Sequence, residues 1–448
     1  MLYTVSLMLL ALSGVLTSMT LVQLRMKRLR RPILYFFNIL FLLLFILVPL
    51  LVESLGGAQT VRWNEYHLIN QPDVIMIYAM YVFVFSATTL LLVSKARTRA
   101  VACLGERKTP YSDAVHRQYS FVLVLVVALG LVVYMVGSGM SLRQLLFASR
   151  FGWMDNPGGN GLLVLLGLYL ISIVAPAAFH IFKSDRTKIL EVAALLVLVA
   201  IMVAVSGGRK WVLFLISGYI AARYFHCRSL KILAFDSVIL SILVVFVIVW
   251  QFGRHLTDVS LNSITDIIIE RGYELFLKGD ISYFYRASLE AISININEGI
   301  WHPFSAVRRL LFLPLPNEVT FGLKPEGLPT SFARDIGAMN SLRMGNMPPS
   351  MIGVFVLSFG AIPGIPLFGM LLPVLLFKID NFFMKRSILR DSLSSYVIVV
   401  MVIFARGNID VLYYPFFYFF IFKLVSVFLL FLRGFRQKRP VWRNNAQT

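Results

Sequence analysis

The sequence predicts an all-α integral membrane protein with about 11 transmembrane helices (roughly 10–12) and a long outer loop of amphipathic helices before the last three spans. Apolar residues make up 58% of the 448 residues, only 14% are charged, and the mean hydropathy is +0.79. A soluble chain of this length could not cover its surface with so few polar groups. The apolar residues also fall into separate long segments rather than one, which indicates a multi-pass protein.

Each predicted span is an apolar segment close to the length needed to cross ~30 Å of hydrocarbon. The segments lie near 3–22, 33–52, 74–93, 119–137, 161–182, 189–205, 211–225, 232–252, 350–377, 392–405 and 411–432. They predict an N-terminal set of spans within 1–252 and a C-terminal set within 350–432. A long outer loop at 253–349 separates the two sets, and a basic cytoplasmic tail occupies 433–448.

The distribution of positive charge predicts the orientation. With the N-terminus outside, the cytoplasmic loops and tail carry 26 Lys and Arg residues and the short outer loops carry six. Basic residues concentrate on the cytoplasmic side of membrane proteins, and long loops such as 253–349 cross regardless of charge. The net charge of +20 therefore reflects basic flanks beside acidic lipid headgroups. We expect membrane lipids as partners and no nucleic acid.

The outer loop holds the polar groups that could carry chemistry. Apolar residues recur at helical spacing around 264–275 and 281–292, which predicts two amphipathic helices lying on the membrane surface. Arg286 and Glu290 fall four residues apart on the opposite face of the second helix. A loop this long is usually functional.

Arginines also stand in two tight turns at outer span ends, Ser206-Gly207-Gly208-Arg209-Lys210 and Arg406-Gly407-Asn408. Arginine at membrane depth is expensive and needs a partner or a function. A guanidinium matches phosphate oxygens through two parallel hydrogen bonds. The turns therefore indicate either arginines that reach lipid headgroups or a shared site for an anionic ligand.

The chain resembles the bacterial O-antigen polymerases (Wzy) and related oligosaccharide repeat-unit polymerases, which share a broad architecture with O-antigen ligases. Ser206-Gly207-Gly208-Arg209 is similar to the turn these families carry mid-chain. Ser358-Phe359-Gly360-Ala361-Ile362-Pro363-Gly364, continuing to Gly369, is similar to the span after their long periplasmic loop. Some polymerases also carry an Arg, ten intervening residues and then a Gly in two periplasmic loops. Arg150 with Gly161 and Arg334 with Gly345 are similar to this pattern, one in each of two outer loops.

The resemblance implies a glycosyltransferase of the bacterial inner membrane with its active site facing the periplasm. It would move a growing glycan from undecaprenyl pyrophosphate onto a new lipid-linked repeat unit, and a separate chain-length regulator protein is a candidate partner. The departing pyrophosphate needs preorganised cations, and the attacking hydroxyl needs a base. We expect Arg209 and Arg406 to bind the pyrophosphate, helped by Arg308, Arg309 and Arg286, with Arg150 and Arg334 as further candidates.

For the base, the candidates are Glu290, then His302, then Asp280. We expect no cofactor and no metal, because no Asp-x-Asp pair appears in an outer loop and no His/carboxylate cluster has metal-ligand spacing. An O-antigen ligase is the nearest alternative. A flippase or transporter would show paired halves and charges at mid-depth. A membrane acyltransferase would use His180 and Asp185, which also fit a basic cytoplasmic turn.

Overall fold

The computed structural model describes residues 2–26, 31–54, 71–96, 113–139, 160–183, 189–206, 210–224, 280–312, 320, 322–336, 347–384 and 387–437. Within these ranges every regular element is helical. The predicted span at 232–252 and the predicted amphipathic helix at 264–275 lie outside them, as do Arg150, Arg209 and Gly345.

The described helices are numbered in chain order. The first nine are α1 (Leu2–Met26), α2 (Pro32–Phe41), α3 (Val48–Ser54), α4 (Pro72–Lys95), α5 (Asp113–Ser138), α6 (Gly161–Ile171), α7 (Val174–Lys183), α8 (Ile189–Ser206) and α9 (Lys210–Tyr224). The remaining ones are α10 (Asp280–Asn297), α11 (Ser305–Phe312), α12 (Leu328–Asp335), α13 (Ser350–Phe359), α14 (Gly364–Pro366), α15 (Leu372–Met384), α16 (Ile388–Leu393), α17 (Val397–Ala405) and α18 (Tyr413–Gln437). Short π segments at Leu42–Leu47 and Leu367–Leu371 and 3₁₀ segments at Ser394–Tyr396 and Ile409–Leu412 join some of them.

The protein is an all-helical, multi-pass membrane protein, as predicted. In the part of the chain that the structure describes, eight helical stretches are long and apolar enough to span a bilayer. They are Leu2–Arg25, Ile33–Ser54, Pro72–Lys95, Val115–Ser138, Gly161–Lys183, Gly364–Phe383, Ile388–Ala405 and Ile409–Phe431. Two further predicted spans correspond to the shorter apolar helices Ile189–Val203 and Lys210–Ala222. The count of 11 stays a prediction.

The prediction of one continuous span over 350–377 is wrong. Helix α13 ends at Phe359, and the next span begins at Gly364. Between them Gly360 adopts φ +89°, a conformation that side chains other than glycine rarely tolerate, and Pro363 cannot continue the preceding helix. Gly364 then sits against α4, where an added Cβ would come within 2.1 Å of the Tyr81 hydroxyl. The Phe-Gly segment is therefore a helix break that packs closely.

By spatial contacts the chain forms two compact units, and the first comprises Met1–Leu104, Gln251–Lys385 and Val400–Leu412. In this unit α1 packs along α4, where Thr17 donates to Ser86 at 2.9 Å in a buried hydrogen bond. The rings of Phe37, Phe41, Phe85 and Phe368 lie within 4.2–6.2 Å of their neighbours. Apolar burial and ring packing of this kind hold the helices together.

A carboxylate from a distant part of the sequence caps α2. The backbone N–H groups of Ile33 and Leu34 donate to Asp380 at 3.0 and 2.9 Å. Arg31 lies over the Phe377 ring at 3.4 Å and donates to Asn381. The first N–H groups of a helix have no partner within it. Arg31, at the N-cap of α2, makes no side-chain capping bond, so Asp380 supplies the hydrogen-bond acceptor.

The predicted surface helix of the outer loop is buried instead. Helix α10 packs against α13, α4 and α3, and the Arg286 and Glu290 side chains are 3% and 7% exposed. The expectation of an exposed Arg286–Glu290 pair on the membrane surface is therefore wrong. The serines and alanines at 287, 288, 291 and 293 are also buried. Because these residues are small, the face of α10 that the sequence predicts to be exposed can pack against other helices.

The second unit comprises Gly105–Trp250, Arg386–Val399 and Tyr413–Thr448. Helices α5 and α6 approach closely, because a Cβ added at Gly130 or Gly167 would meet the other helix at 2.7 and 2.6 Å. A buried polar chain joins three segments: His116 Nδ1 lies 2.9 Å from His180 Nδ1, and His180 Nε2 lies 2.5 Å from Ser392 Oγ. His180 thus has partners inside the protein rather than in a cytoplasmic turn.

Candidate functional site

The candidate site lies in the first unit, where α10 and α13 run side by side in the same direction. The Tyr283 hydroxyl donates to the Pro348 carbonyl at 2.5 Å, and the Ser288 and Ser350 hydroxyls lie 2.7 Å apart. Further along, the Ala361 N–H donates to Asn295 at 2.8 Å. These bonds fix the register of α10 on α13, and with it the positions of the polar residues that α10 carries.

The turn after α17 brings Arg406 to the N-terminal end of α13. The Ser350 N–H donates to the Arg406 carbonyl at 3.1 Å. Gly407 has φ +92°, and an added Cβ there would lie 2.6 Å from the Ser350 backbone, so glycine is required on both counts. Ser350 itself has φ +67°, which is uncommon for a residue with a side chain. Strained positions of this kind cluster at functional sites.

Two of the predicted pyrophosphate ligands meet at one tyrosine. The Arg406 guanidinium lies 5.3 Å from the centre of the Tyr283 ring. Arg286 is one turn further along α10, and residues three apart are neighbours on a helix surface. Arg406 is exposed, whereas Arg286 is buried. The arrangement places one exposed cation over the Tyr283 ring and a buried one on the next turn of the same helix.

Burial changes the titration of the pair on α10. Desolvation raises the pKa of Glu290 to about 7, and the nearby Arg286 opposes this rise. Desolvation likewise lowers the pKa of Arg286 to about 10, opposed by Glu290 and Tyr283. A carboxyl group with a pKa near neutrality can take up or release a proton at physiological pH.

A histidine–aspartate pair lies at the other end of α13. His302 Nε2 is 2.6 Å from Asp335 Oδ2, with the two side chains 30% and 11% exposed. The His302 N–H donates to the Leu357 carbonyl at 2.7 Å. Ser350 and Leu357 are seven residues apart on α13, which corresponds to roughly 10 Å along the helix. The backbone hydrogen bond that holds His302 and the one that holds Arg406 are therefore about that far apart along α13.

The other predicted site arginines that the structure describes bind groups away from Tyr283. Arg309 donates to Asp410 through Nε at 3.2 Å and Nη2 at 2.9 Å, and through Nη1 to the Pro325 carbonyl at 3.0 Å. Arg308 is exposed and donates to the Leu323 carbonyl at 3.0 Å. Arg334 forms an exposed ion pair with Glu326. These contacts fasten α11, α12 and their connections, and they do not bring the three side chains to Tyr283.

Some predicted site residues fall outside the described part. Arg209 and Arg150 lie outside it, and of Asp280 only its place at the start of α10 is described. Sequence reasoning did not select Tyr283 or Asp335. Asp335 lies 33 residues from its histidine, so no local spacing links the two, and Tyr283 is not one of the positions that form the apolar face of the predicted helix at 281–292.

Within the described ranges no group of three or more His, Cys, Asp or Glu side chains is placed to hold a metal ion. No protein-family model, curated protein or solved structure matches this chain. The architecture defines a polytopic helical membrane protein in which Arg406 lies over Tyr283, on the helix that also carries buried Arg286 and Glu290.

Proposed function

We propose that the protein is a glycosyltransferase that joins lipid-linked oligosaccharide repeat units at the periplasmic face of the bacterial inner membrane. The donor is a glycan on undecaprenyl pyrophosphate, and the product is O-antigen or a similar surface polysaccharide. The observation that supports this proposal most is the position of Arg406 over the Tyr283 ring, with Arg286 one turn further along the same helix. Two cations in one place suit a diphosphate, the group that leaves in such a reaction.

In the proposed reaction a hydroxyl of the acceptor sugar attacks the anomeric carbon of the donor glycan. The new C–O bond forms as the bond to the pyrophosphate oxygen breaks, and both electrons of that bond leave with undecaprenyl pyrophosphate. Exposed Arg406 contacts the developing negative charge directly. Buried Arg286, on the next turn of α10, acts through its field, which the low dielectric of the interior weakens little.

The acceptor hydroxyl must lose its proton as it attacks, and His302, paired with Asp335, is the proposed base. An in-line displacement places the base and the leaving-group cations on opposite sides of the anomeric carbon, and His302 and Arg406 are anchored near opposite ends of α13. With Nε2–H donating to Asp335, the Nδ1 atom of His302 is the acceptor. Glu290 adjoins Arg286 on the leaving-group side, so we place it after His302 as the base.

The in vivo test uses a strain that lacks its O-antigen polymerase and expresses this chain. Arg406→Ala should abolish long polysaccharide chains while the protein level stays normal, because one transition-state cation is worth roughly 10²-fold or more in rate. Arg308→Ala is the matched control, since it removes an equally exposed arginine bound to a carbonyl. Arg209→Ala tests the predicted cation outside the described residues.

The pattern of residual glycan distinguishes the readings. A single repeat unit on the lipid A core, with no longer chains, indicates loss of a polymerase. Loss of every attached unit indicates a ligase. Normal ladders with Arg406→Ala at normal protein level would contradict the proposed role of the cation pair.

A further inference from the structure

A buried carboxylate in the first unit, Glu53, takes no part in the reaction proposed above. Glu53 lies at the end of α3 and is 8% exposed. Its Oε1 accepts the Tyr285 hydroxyl at 2.8 Å, and its Oε2 accepts the Tyr3 hydroxyl at 2.8 Å. One carboxylate therefore ties α10 to both α3 and α1.

Tyr285 is held on its other side as well. It is fully buried, and its ring packs edge-on against that of Tyr78 with centroids 4.8 Å apart. The Tyr78 hydroxyl donates to the Phe45 carbonyl at 2.9 Å. The ring is thus fixed by packing and the hydroxyl by a charge-assisted hydrogen bond, which is stronger than a neutral one.

Tyr285 stands in the sequence between Tyr283 and Arg286, which carry the proposed cation site. Each residue of a helix turns 100° from the last, so Tyr285 points away from the side that Tyr283 and Arg286 share. Tyr283 is held at Pro348 and Ser288 at Ser350. At 100° per residue Tyr285 lies about 160° from Tyr283 around the helix, so the Tyr285–Glu53 bond holds α10 on the side nearly opposite Tyr283. Together these bonds fix the rotation of the helix about its axis.

We propose that Glu53 is a positioning residue for the transfer site, acting through the Tyr285 hydroxyl to set the rotation of α10 and so the placement of Tyr283 and Arg286. The inference rests on the proposed function, because it is the cation site that α10 presents. Glu53 itself touches neither the sugar nor the diphosphate.

The two tyrosines on Glu53 provide a matched pair of variants. Tyr285→Phe and Tyr3→Phe each remove one hydroxyl at 2.8 Å from the same carboxylate and keep the ring. Only the first loosens α10. In the purified full chain in lipid nanodiscs, with lipid-linked repeat units as substrates, we expect Tyr285→Phe to lower kcat about 10-fold and to raise the KM for the pyrophosphate-linked donor about fivefold. Tyr3→Phe should stay within about twofold in both.

A double-mutant cycle tests whether Glu53 acts through Tyr285. Glu53→Ala should lower kcat about as much as Tyr285→Phe, and the double variant should be no worse than the lower of the two. Glu53→Gln keeps an oxygen that can accept the Tyr285 hydroxyl and should recover most of the turnover. A role in stability alone would lower the amount of folded protein with either tyrosine variant and leave kcat per folded molecule unchanged, which would overturn the proposal. So would multiplicative losses in the double variant.

Binding of inorganic pyrophosphate to the same samples separates this inference from the proposed function. If the wild type transfers no sugar, the proposed function fails. The positioning role still stands if Tyr285→Phe weakens pyrophosphate binding at least fivefold and Tyr3→Phe does not. Equal pyrophosphate affinity in the three proteins, or no binding by the wild type, would overturn it.

Discussion

Glu290 gives a prediction whose size follows from the structure. The side chain is 7% exposed, and burial raises its pKa from 4.5 to about 7. This difference corresponds to about 3 kcal/mol by which the folded environment favours the neutral acid. Arg286 already opposes the rise, so the figure is the balance that remains after that attraction.

The sign of the pH dependence follows from proton binding. Between pH 4.5 and about 7 the folded protein holds a proton on Glu290 that the unfolded chain has released. The free energy of unfolding therefore falls as pH rises through this range and levels off above about pH 7. The stabilisation is fully present below pH 4.5, and about 3 kcal/mol is lost across the window.

The assay is thermal unfolding of the purified protein from pH 4.5 to 8.5, compared with Glu290→Gln. Gln cannot ionise, so the difference in stability between wild type and Glu290→Gln should change with pH by about 3 kcal/mol. Other titrating groups contribute equally to both proteins and cancel. A difference that stays constant across the range would refute the conclusion that Glu290 is buried and shifted.

Three further predictions concern the site and its supports. Asp335→Ala removes the acceptor of His302 Nε2 and should lower kcat roughly 10²-fold with normal folding, measured by repeat-unit transfer. A wild-type rate would remove the pair from the mechanism. Arg309→Asp and Asp410→Arg should each lower the free energy of unfolding by about 1 kcal/mol, because the ion pair is partly exposed. The double exchange should restore the melting temperature, and no recovery would contradict the pairing. Gly407→Ala should reduce transfer by disturbing the neighbouring Arg406 turn, since its positive φ and the contact with Ser350 leave no room for Cβ; unchanged turnover would contradict that placement.

The membrane class and most spans could be predicted because they depend on local hydropathy. The break at Gly360 and Pro363 was missed because the apolar run continues through it and length alone suggested one span. The burial of α10 was missed for a different reason. Its polar residues marked an exposed face, and only the packing of the whole first unit shows that Arg286 and Glu290 are enclosed.

For the site as well, local sequence predicts some features and long-range contacts decide the others. Residue chemistry was enough to select Arg406, Arg286, Glu290 and His302 as candidates. Which of them meet depends on contacts between residues far apart in sequence, such as Ser350 with Arg406 and His302 with Asp335. The same contacts gave Arg309 a carboxylate partner, Asp410, that no sequence spacing suggested.

The most direct test of the account is repeat-unit transfer by the purified protein in nanodiscs. The substrate is an oligosaccharide on undecaprenyl pyrophosphate, and the products to be measured are glycans of two or more units and released undecaprenyl pyrophosphate, one for each new glycosidic bond. The account predicts both products with wild type and with Arg308→Ala, and at least 100-fold less of both with Arg406→Ala. Transfer that is equally fast without Arg406, or no transfer by the folded wild type, would contradict it.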